Sequence, residues 1–279
     1  MNPSSLPLMV VFPNAKINLG LEILRKREDG YHDLESLFYP IPLKDALEIV
    51  PIKHGSGDRW HFSGLEIPGK PSDNLCVKAL ELLRAEFEIP WLNCFLHKAI
   101  PMGAGLGGGS SDVAFLIDAV CEMYSPDFPK ERRAEIALAI GSDCPFFLRN
   151  EPLMARGRGE IFEPIELDLS GLHLILVCPD IHISTPAAYG SISPSQPDMP
   201  VEDILRTSVY NWRDKLNNRF EGFAFKQFPE LAKIKAEMYE FGAAYSSMTG
   251  SGSSIFGIFE HLPDTLSSEE ENQSFRMKL

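Results

Sequence analysis

The chain has 279 residues, enough for one large domain or two smaller ones, and its 44% hydrophobic and 23% charged content is that of an ordinary globular protein. A formal charge of −13 argues against nucleic-acid binding, which needs a basic stripe, and means that any anionic substrate must be met by a local positive site. The five cysteines (Cys76, Cys94, Cys121, Cys144, Cys178) are scattered and never in C-x-x-C spacing, which excludes a disulfide framework or zinc site and fits reduced thiols in the cytoplasm.

At the N-terminus the apolar stretch 6–12 has no basic residue before it and ends at Pro13, so no signal peptide is expected. No apolar run approaches the ~18 residues of a membrane span. Ile17, Leu19, Leu21 and Ile23 alternate, the period of a half-buried strand, which puts Lys16, Asn18, Gly20 and Glu22 on its other face. The charged turn at 25–30 ends in Asp29-Gly30, a hairpin signal, with Tyr31 and His32 just past it. Further strands are expected at 43–50 and 59–63, a helix after Ser72-Asp73-Asn74, and a strand over 91–100.

That strand delivers the chain to its most informative segment, PMGAGLGGGSSDVAFLIDAVCEMY at 101–124. Glycine lacks a Cβ, so such a run can bring bare backbone N–H groups against a ligand. Ser110 or Ser111 is expected to cap the helix that follows, whose apolar stripe is Val113, Leu116, Ile117, Val120, Cys121 and Tyr124. A glycine loop feeding a helix N-terminus is an anion site, most often for phosphate.

Pro129 suits the N1 position of a helix over 130–140, and Gly141 its C′ position, which makes 142–145 a loop. The segment 155–160 reads as a tight hairpin, and the boundary between two domains, 1–160 and 161–279, is expected there. A strand at 172–178, a linker at 193–200, helices over about 201–220 and 229–241, a second glycine loop at 248–254 and a strand at 255–259 follow. The tail from Ser267 is acidic and expected to fray.

Gly103, Gly105 and Gly108 satisfy G-x-G-x-x-G, but hairpin-style strands precede them where a dinucleotide fold would open on its first βαβ unit. The spacing also approaches a P-loop, yet Gly109 stands where the phosphate-reaching lysine must be. The V-A-I-K, H-R-D and D-F-G set of protein kinases is missing from the sequence. What remains is a lysine-free phosphate loop. On composition and spacing alone, Asp143 is either a solvated loop acid or a general base, and Lys16 either a strand-face lysine or part of a site. Likewise Tyr31 and His32 are either exposed turn residues or a surface that stacks and hydrogen-bonds a base.

The pattern P-x-x-A-G-L-G-G-G-S-S at 101–111 resembles the signature of the GHMP kinases. Ala15-Lys16-Ile17-Asn18-Leu19, Asp29-Gly30-Tyr31-His32, the segment 141–147 and Met248-Thr249-Gly250-Ser251-Gly252 follow in the order of the branch that acts on a cytidine diphosphate sugar alcohol. The resemblance covers about 13–259. It implies an α+β, two-domain GHMP kinase fold, with a ribosomal-protein-S5-domain-2-like N-terminal domain and a ferredoxin-like C-terminal domain. It implies transfer of the ATP γ-phosphoryl group to the 2-hydroxyl of that acceptor, in the non-mevalonate route to isoprenoid precursors. By the same resemblance Asp143 is the base and Lys16 its support. Pro101, Met102, Gly103, Ala104, Gly105, Leu106, Gly107, Gly108, Gly109, Ser110 and Ser111 bind ATP. Asn18, Tyr31, His32 and Tyr189 bind the acceptor, and Gly250 and Gly252 support the phosphates. Arg156 and Arg158 could reach phosphate too, but are read as solvating the hairpin. Mg²⁺ is expected to travel on the ATP, with no protein ligand set named, and no nucleic-acid, membrane or protein partner is implied.

Three departures stand out: Ser142 where alanine is common, Cys144 where valine is frequent, and a short tail where relatives often add a helix and strand. A mevalonate- or homoserine-type GHMP kinase and a non-catalytic nucleotide-binding module are the alternative readings.

Overall fold

The structure is a computed structural model and describes residues 8–279, so Leu6 and Pro7 of the N-terminal apolar stretch lie outside the described residues. In chain order the strands are β1 (Met9–Val11), β2 (Asn14–Lys26), β3 (His32–Lys44), β4 (Ala46–Pro51), β5 (Arg59–Gly64), β6 (Leu92–Lys98), β7 (Leu153–Arg156), β8 (Ile161–Pro164), β9 (His173–Cys178), β10 (Tyr245–Met248), β11 (Ile255–Phe259) and β12 (Gln273–Lys278). The helices are α1 (Leu75–Arg84), α2 (Gly108–Tyr124), α3 (Lys130–Ile140), α4 (Cys144–Arg149), α5 (Thr185–Gly190), α6 (Val201–Leu205), α7 (Glu221–Gln227), α8 (Pro229–Glu240) and α9 (Ser267–Glu271). They form two compact units that interleave along the chain. Among the described residues the first comprises 8–15, 43–102 and 107–150; the second comprises 16–42, 103–106 and 151–279. Residues 16–42 and 103–106, which precede the hairpin at 155–160, thus belong with the second unit.

In the first unit a sheet of order β1-β4-β6-β5 is antiparallel except for the parallel β5–β6 pair. Period-two burial along β4 and β6 turns Leu47, Ile49, Cys94 and Leu96 to one side, where they pack with Ala79 and Leu83 of α1 and Leu116 and Val120 of α2. Asn74 caps α1, its side chain accepting from Cys76 N at 2.9 Å.

The second unit has two sheets, β2-β3-β7-β8 and β10-β11-β9-β12. In the latter, β9 and β11 are buried along most of their length, as a central pair with α8 against it requires. Gly257 is the contact point: a Cβ there would meet Met238 Sδ of α8 at 2.7 Å.

Several expectations are corrected. The strand at 17–23 is buried on both faces, because Lys16, Asn18 and Glu22 find polar partners inside the protein. Neither Ser110 nor Ser111 caps α2. The helix begins at Gly108, with Gly107 at the cap in the left-handed region (φ 71°), so both serines lie inside its first turns. Gly141 ends α3 with extended backbone (φ −173°), not left-handed, and Pro129 is its N-cap, not N1. Cys144 and Pro145 open the short helix α4 where a loop is expected.

The helix expected over 201–220 stops at Leu205. Thr207 turns its hydroxyl back to Ile204 O, and Asn218 forms an isolated bridge with Leu21 of β2, whose backbone bonds Asn217 and Arg219. The acidic tail does not fray. Glu237 accepts from the N–H groups of Ser267 and Ser268 at the start of α9, and β12 then pairs with β9 over Gln273–Lys278. The tail therefore supplies the helix and strand that relatives add, as an edge strand whose polar face is exposed.

Candidate active site

In the second unit β2 places Lys16 and Asn18 two residues apart on one face. Lys16 is 3% exposed, and its ammonium donates to Asn18 Oδ1 at 2.6 Å and to Gly105 O at 3.0 Å, with the Phe38 ring 4.9 Å away. The Lys16 backbone N–H donates to Leu106 O at 3.0 Å, so side chain and main chain both grip the segment 103–106. Asn18 is fixed in turn. Its Nδ2 donates to Ser36 Oγ, and its backbone N–H to Thr249 Oγ1. Thr249 Oγ1 shares its own proton between Gly105 O at 3.1 Å and Asn18 Oδ1 at 3.2 Å.

The two glycine loops meet at this point. Gly105 has φ +78°, and a Cβ on it would lie 2.1 Å from Thr249 O; a Cβ on Gly250 (φ +56°) would lie 3.1 Å from Gly105 Cα. Only glycine permits that approach. Gly252 (φ +97°) has Ile183 and Met248 side-chain atoms 2.8 Å from its would-be Cβ, which makes it a packing glycine within the second loop. Asn218 holds the same loop, donating to Met248 O at 2.7 Å and Gly250 O at 2.9 Å.

Also in the second unit, His32 and Tyr189 stack with ring centroids 5.2 Å apart, and Tyr189 meets Phe220 edge-on at 4.9 Å. Tyr31 is 56% exposed, and the Arg158 guanidinium lies 4.6 Å from its ring centre. Its backbone N–H donates to Asp29 Oδ1 at 3.1 Å, which fixes the turn and holds the Asp29 carboxyl below its usual pKa. The hairpin arginines do more than solvate the turn: Arg156 binds buried Glu35 and also Glu163 and Glu202, while Arg158 covers Tyr31.

In the first unit α2 begins against the end of β6: a Cβ on Gly108 would stand 2.9 Å from Ile100 Cγ2. Pro101 and Met102 close the approach, with Met102 43% exposed. Gly109 opens the first turn of α2, where a Cβ would only touch Leu75 Cδ1 at 3.7 Å. Ser111 is fully buried, and its Oγ lacks a hydrogen-bond partner. Asp143 occupies the N-cap position of α4, half-buried, without a capping bond from its side chain to that helix. The neighbouring Cys144 is wholly buried and bonded to the Ser110 side chain; burial pushes its thiol up to about 12, so it stays neutral beside Asp143. Nothing in the structure explains Ser142.

Sequence reasoning missed a cluster beneath this loop. Lys98 is 2% exposed and donates to Asp45 and, at 2.7 Å, to Asp112. A charged residue at each end of the glycine run was the available signal. It was illegible because Asp45 lies more than fifty positions away in the chain.

Residues 74–151 match the model of the GHMP kinases N terminal domain, and residues 201–271 that of the GHMP kinases C terminal. A 4-diphosphocytidyl-2-C-methyl-D-erythritol kinase of Bacteroides fragilis is 49% identical over 253 residues, covering 90% of this chain and 92% of the relative. The chain belongs to the GHMP kinase family. A second kinase of the same name, from Parabacteroides distasonis, is 47% identical over 254 residues, with 90% and 92% covered. A crystal structure of 4-(cytidine 5′-diphospho)-2C-methyl-D-erythritol kinase is 33% identical, with a TM-score of 0.79 over 96% of this chain and 98% of that one. A homoserine kinase from Cytophaga hutchinsonii, 14% identical over 99% and 96% of the two chains with a TM-score of 0.68, shares the fold. The protein is therefore a small-molecule kinase of two-domain α+β GHMP architecture.

Proposed function

We infer that this kinase transfers the γ-phosphoryl group of ATP to the 2-hydroxyl of 4-diphosphocytidyl-2-C-methyl-D-erythritol, in the cytoplasm, on the non-mevalonate route to isoprenoid precursors. The observation that carries the reading is 49% identity, over nine-tenths of the chain, to a kinase of that name. The five free, buried cysteines suit a reducing compartment. None of the helices among the described residues is long and apolar enough to cross a membrane.

Asp143 takes the proton of the acceptor hydroxyl as its oxygen attacks the γ-phosphorus, and ADP leaves from the opposite side. Lys16, already held by Asn18 and Gly105, supplies positive charge for the transferring phosphoryl group. The triphosphate lies along Pro101–Ser111, where backbone N–H groups and the N-terminal dipole of the 17-residue helix α2 oppose its charge. This local field is what a chain of net charge −13 requires for an anionic substrate. Mg²⁺ would travel on the ATP and help neutralise its phosphates. Tyr31, His32 and Tyr189 recognise the cytidine, and Gly250 and Gly252 shape the second loop, which supports the phosphates. The division at 160/161 is retained as the boundary between the N- and C-terminal domains in sequence.

The test is ADP release with a panel of hydroxylated acceptors. Turnover with 4-diphosphocytidyl-2-C-methyl-D-erythritol is expected. Turnover only with mevalonate or homoserine would sink the assignment.

A further inference from the structure

Two roots carry the glycine loop in the first unit: the end of β6 before it and the first turns of α2 after it. Both are tied to one buried cluster. Asp45 Oδ1 accepts from the backbone N–H groups of Ala99, at 2.6 Å, and Ile100, at 2.9 Å, while its Oδ2 accepts from Lys98. The same ammonium reaches Asp112 Oδ2 at 2.7 Å, on the fifth residue of α2 and about one turn, roughly 5–6 Å, from its N-terminus. Asp112 Oδ1 is buried and has no hydrogen-bond partner. One cation thus faces two carboxylates that are 1% and 3% exposed, directly under a loop that receives phosphate.

We propose that Asp45, Lys98 and Asp112 form a proton-linked positioning device, which clamps the two roots of the glycine loop and takes up one solvent proton at Asp112 when a triphosphate binds above. The inference rests on the proposed ATP site. Its logic is charge balance. With both acids ionised the cluster is net negative and opposes an anion at the end of α2; with Asp112 protonated it is neutral, and the carboxyl keeps its shape.

The groups facing Asp112 leave it as the one that titrates. Lys98 of β6 stays cationic, since two carboxylates outweigh the pull of burial on its ammonium. Cys76 of α1 stays a neutral thiol, pushed well up by burial and by Asp112 itself. Asp112 is pushed up to about 8, chiefly by burial, with Lys98 opposing and Asp45 adding to the rise. Binding of an anion nearby must raise it further, so affinity for ATP falls as pH climbs through that value.

The experiment is calorimetric titration of the intact protein with MgATP at pH 8, in two buffers of different ionisation enthalpy, repeated for Asp112→Asn. Uptake of a substantial fraction of a proton is expected in the wild type, none in the variant. Kd for MgATP should weaken several-fold from pH 7 to pH 9 in the wild type only. Binding without proton uptake, or equal uptake in Asp112→Asn, would overturn the inference and leave the ATP site standing. Absence of MgATP binding at pH 7 would overturn both. The wild-type measurement alone decides the matter if the variant does not fold.

Discussion

Lys16 and Lys98 are both almost wholly buried, and each stands at one strand's contribution to the phosphate loop, yet they are held differently. Lys98 is enclosed by two carboxylates, one of which also grips the backbone of Ala99 and Ile100. Within its own unit Lys16 is held by an amide oxygen and a carbonyl oxygen, on a face shared with Asn18. A cation locked between carboxylates organises structure. The amide and carbonyl oxygens on Lys16 tie it instead to Asn18 and to the segment 103–106. Burial therefore does not by itself say what a lysine is for; under the proposed mechanism Lys16 serves the substrate and Lys98 the fold.

Substitutions that exchange the two behaviours test the contrast. The largest effect is expected at the chemistry. Asp143→Asn and Lys16→Met should each lower kcat by about 10²–10⁴-fold in an ADP-release assay, with the KM for ATP changed far less. Near-normal turnover in Asp143→Asn would remove it as the base.

Lys98→Met should instead act on the fold. It strands Asp45 and Asp112 without a cation, and a loss of roughly 3–5 kcal/mol is expected in urea unfolding. A Lys98→Met protein as stable as wild type would break the comparison outright.

Tyr31→Ala should raise acceptor KM by about tenfold, the loss of roughly one stacking contact of 1–1.5 kcal/mol, and spare the KM for ATP. An unchanged acceptor KM would dissociate Tyr31 from cytidine recognition.

The smallest effect concerns pH. Asp112 has a folded-state pKa raised from 3.8 to about 8, so the native protein holds a proton there that the unfolded chain releases. Its contribution to stability is full below about 4, and is lost as pH rises towards about 8. Asp112→Asn lacks that loss. Its Tm should exceed the wild-type value by a few degrees at pH 8.5, and the gap should shrink as pH falls towards 5.

Much of the fold was legible because local patterns agree with it. The strands expected around 43–50 and 91–100, the stripe of α2 and the hairpin between β7 and β8 appear close to where strand, period and turn signals put them. The failures share a cause. The polar face of β2, the break after Leu205 and the ordered tail each depend on a partner distant in sequence: Thr249 for Asn18, Leu21 for Asn217 and Arg219, and β9 for β12. Arg158 belongs with them, since only the folded hairpin lays its guanidinium over Tyr31.

The sequence by itself determined the family, and it supplied the glycine loop and the residues to which the proposed chemistry is assigned. Glycine runs, caps and motif order are local properties, and Gly109 in the lysine position of a P-loop is visible without any fold. Tertiary structure alone decided what each loop residue leans on: the 2.1 Å approach that forbids a Cβ on Gly105, the amide that steers Lys16, and the two acids that enclose Lys98. Those contacts span tens to hundreds of residues, and no periodicity encodes a neighbour at that distance.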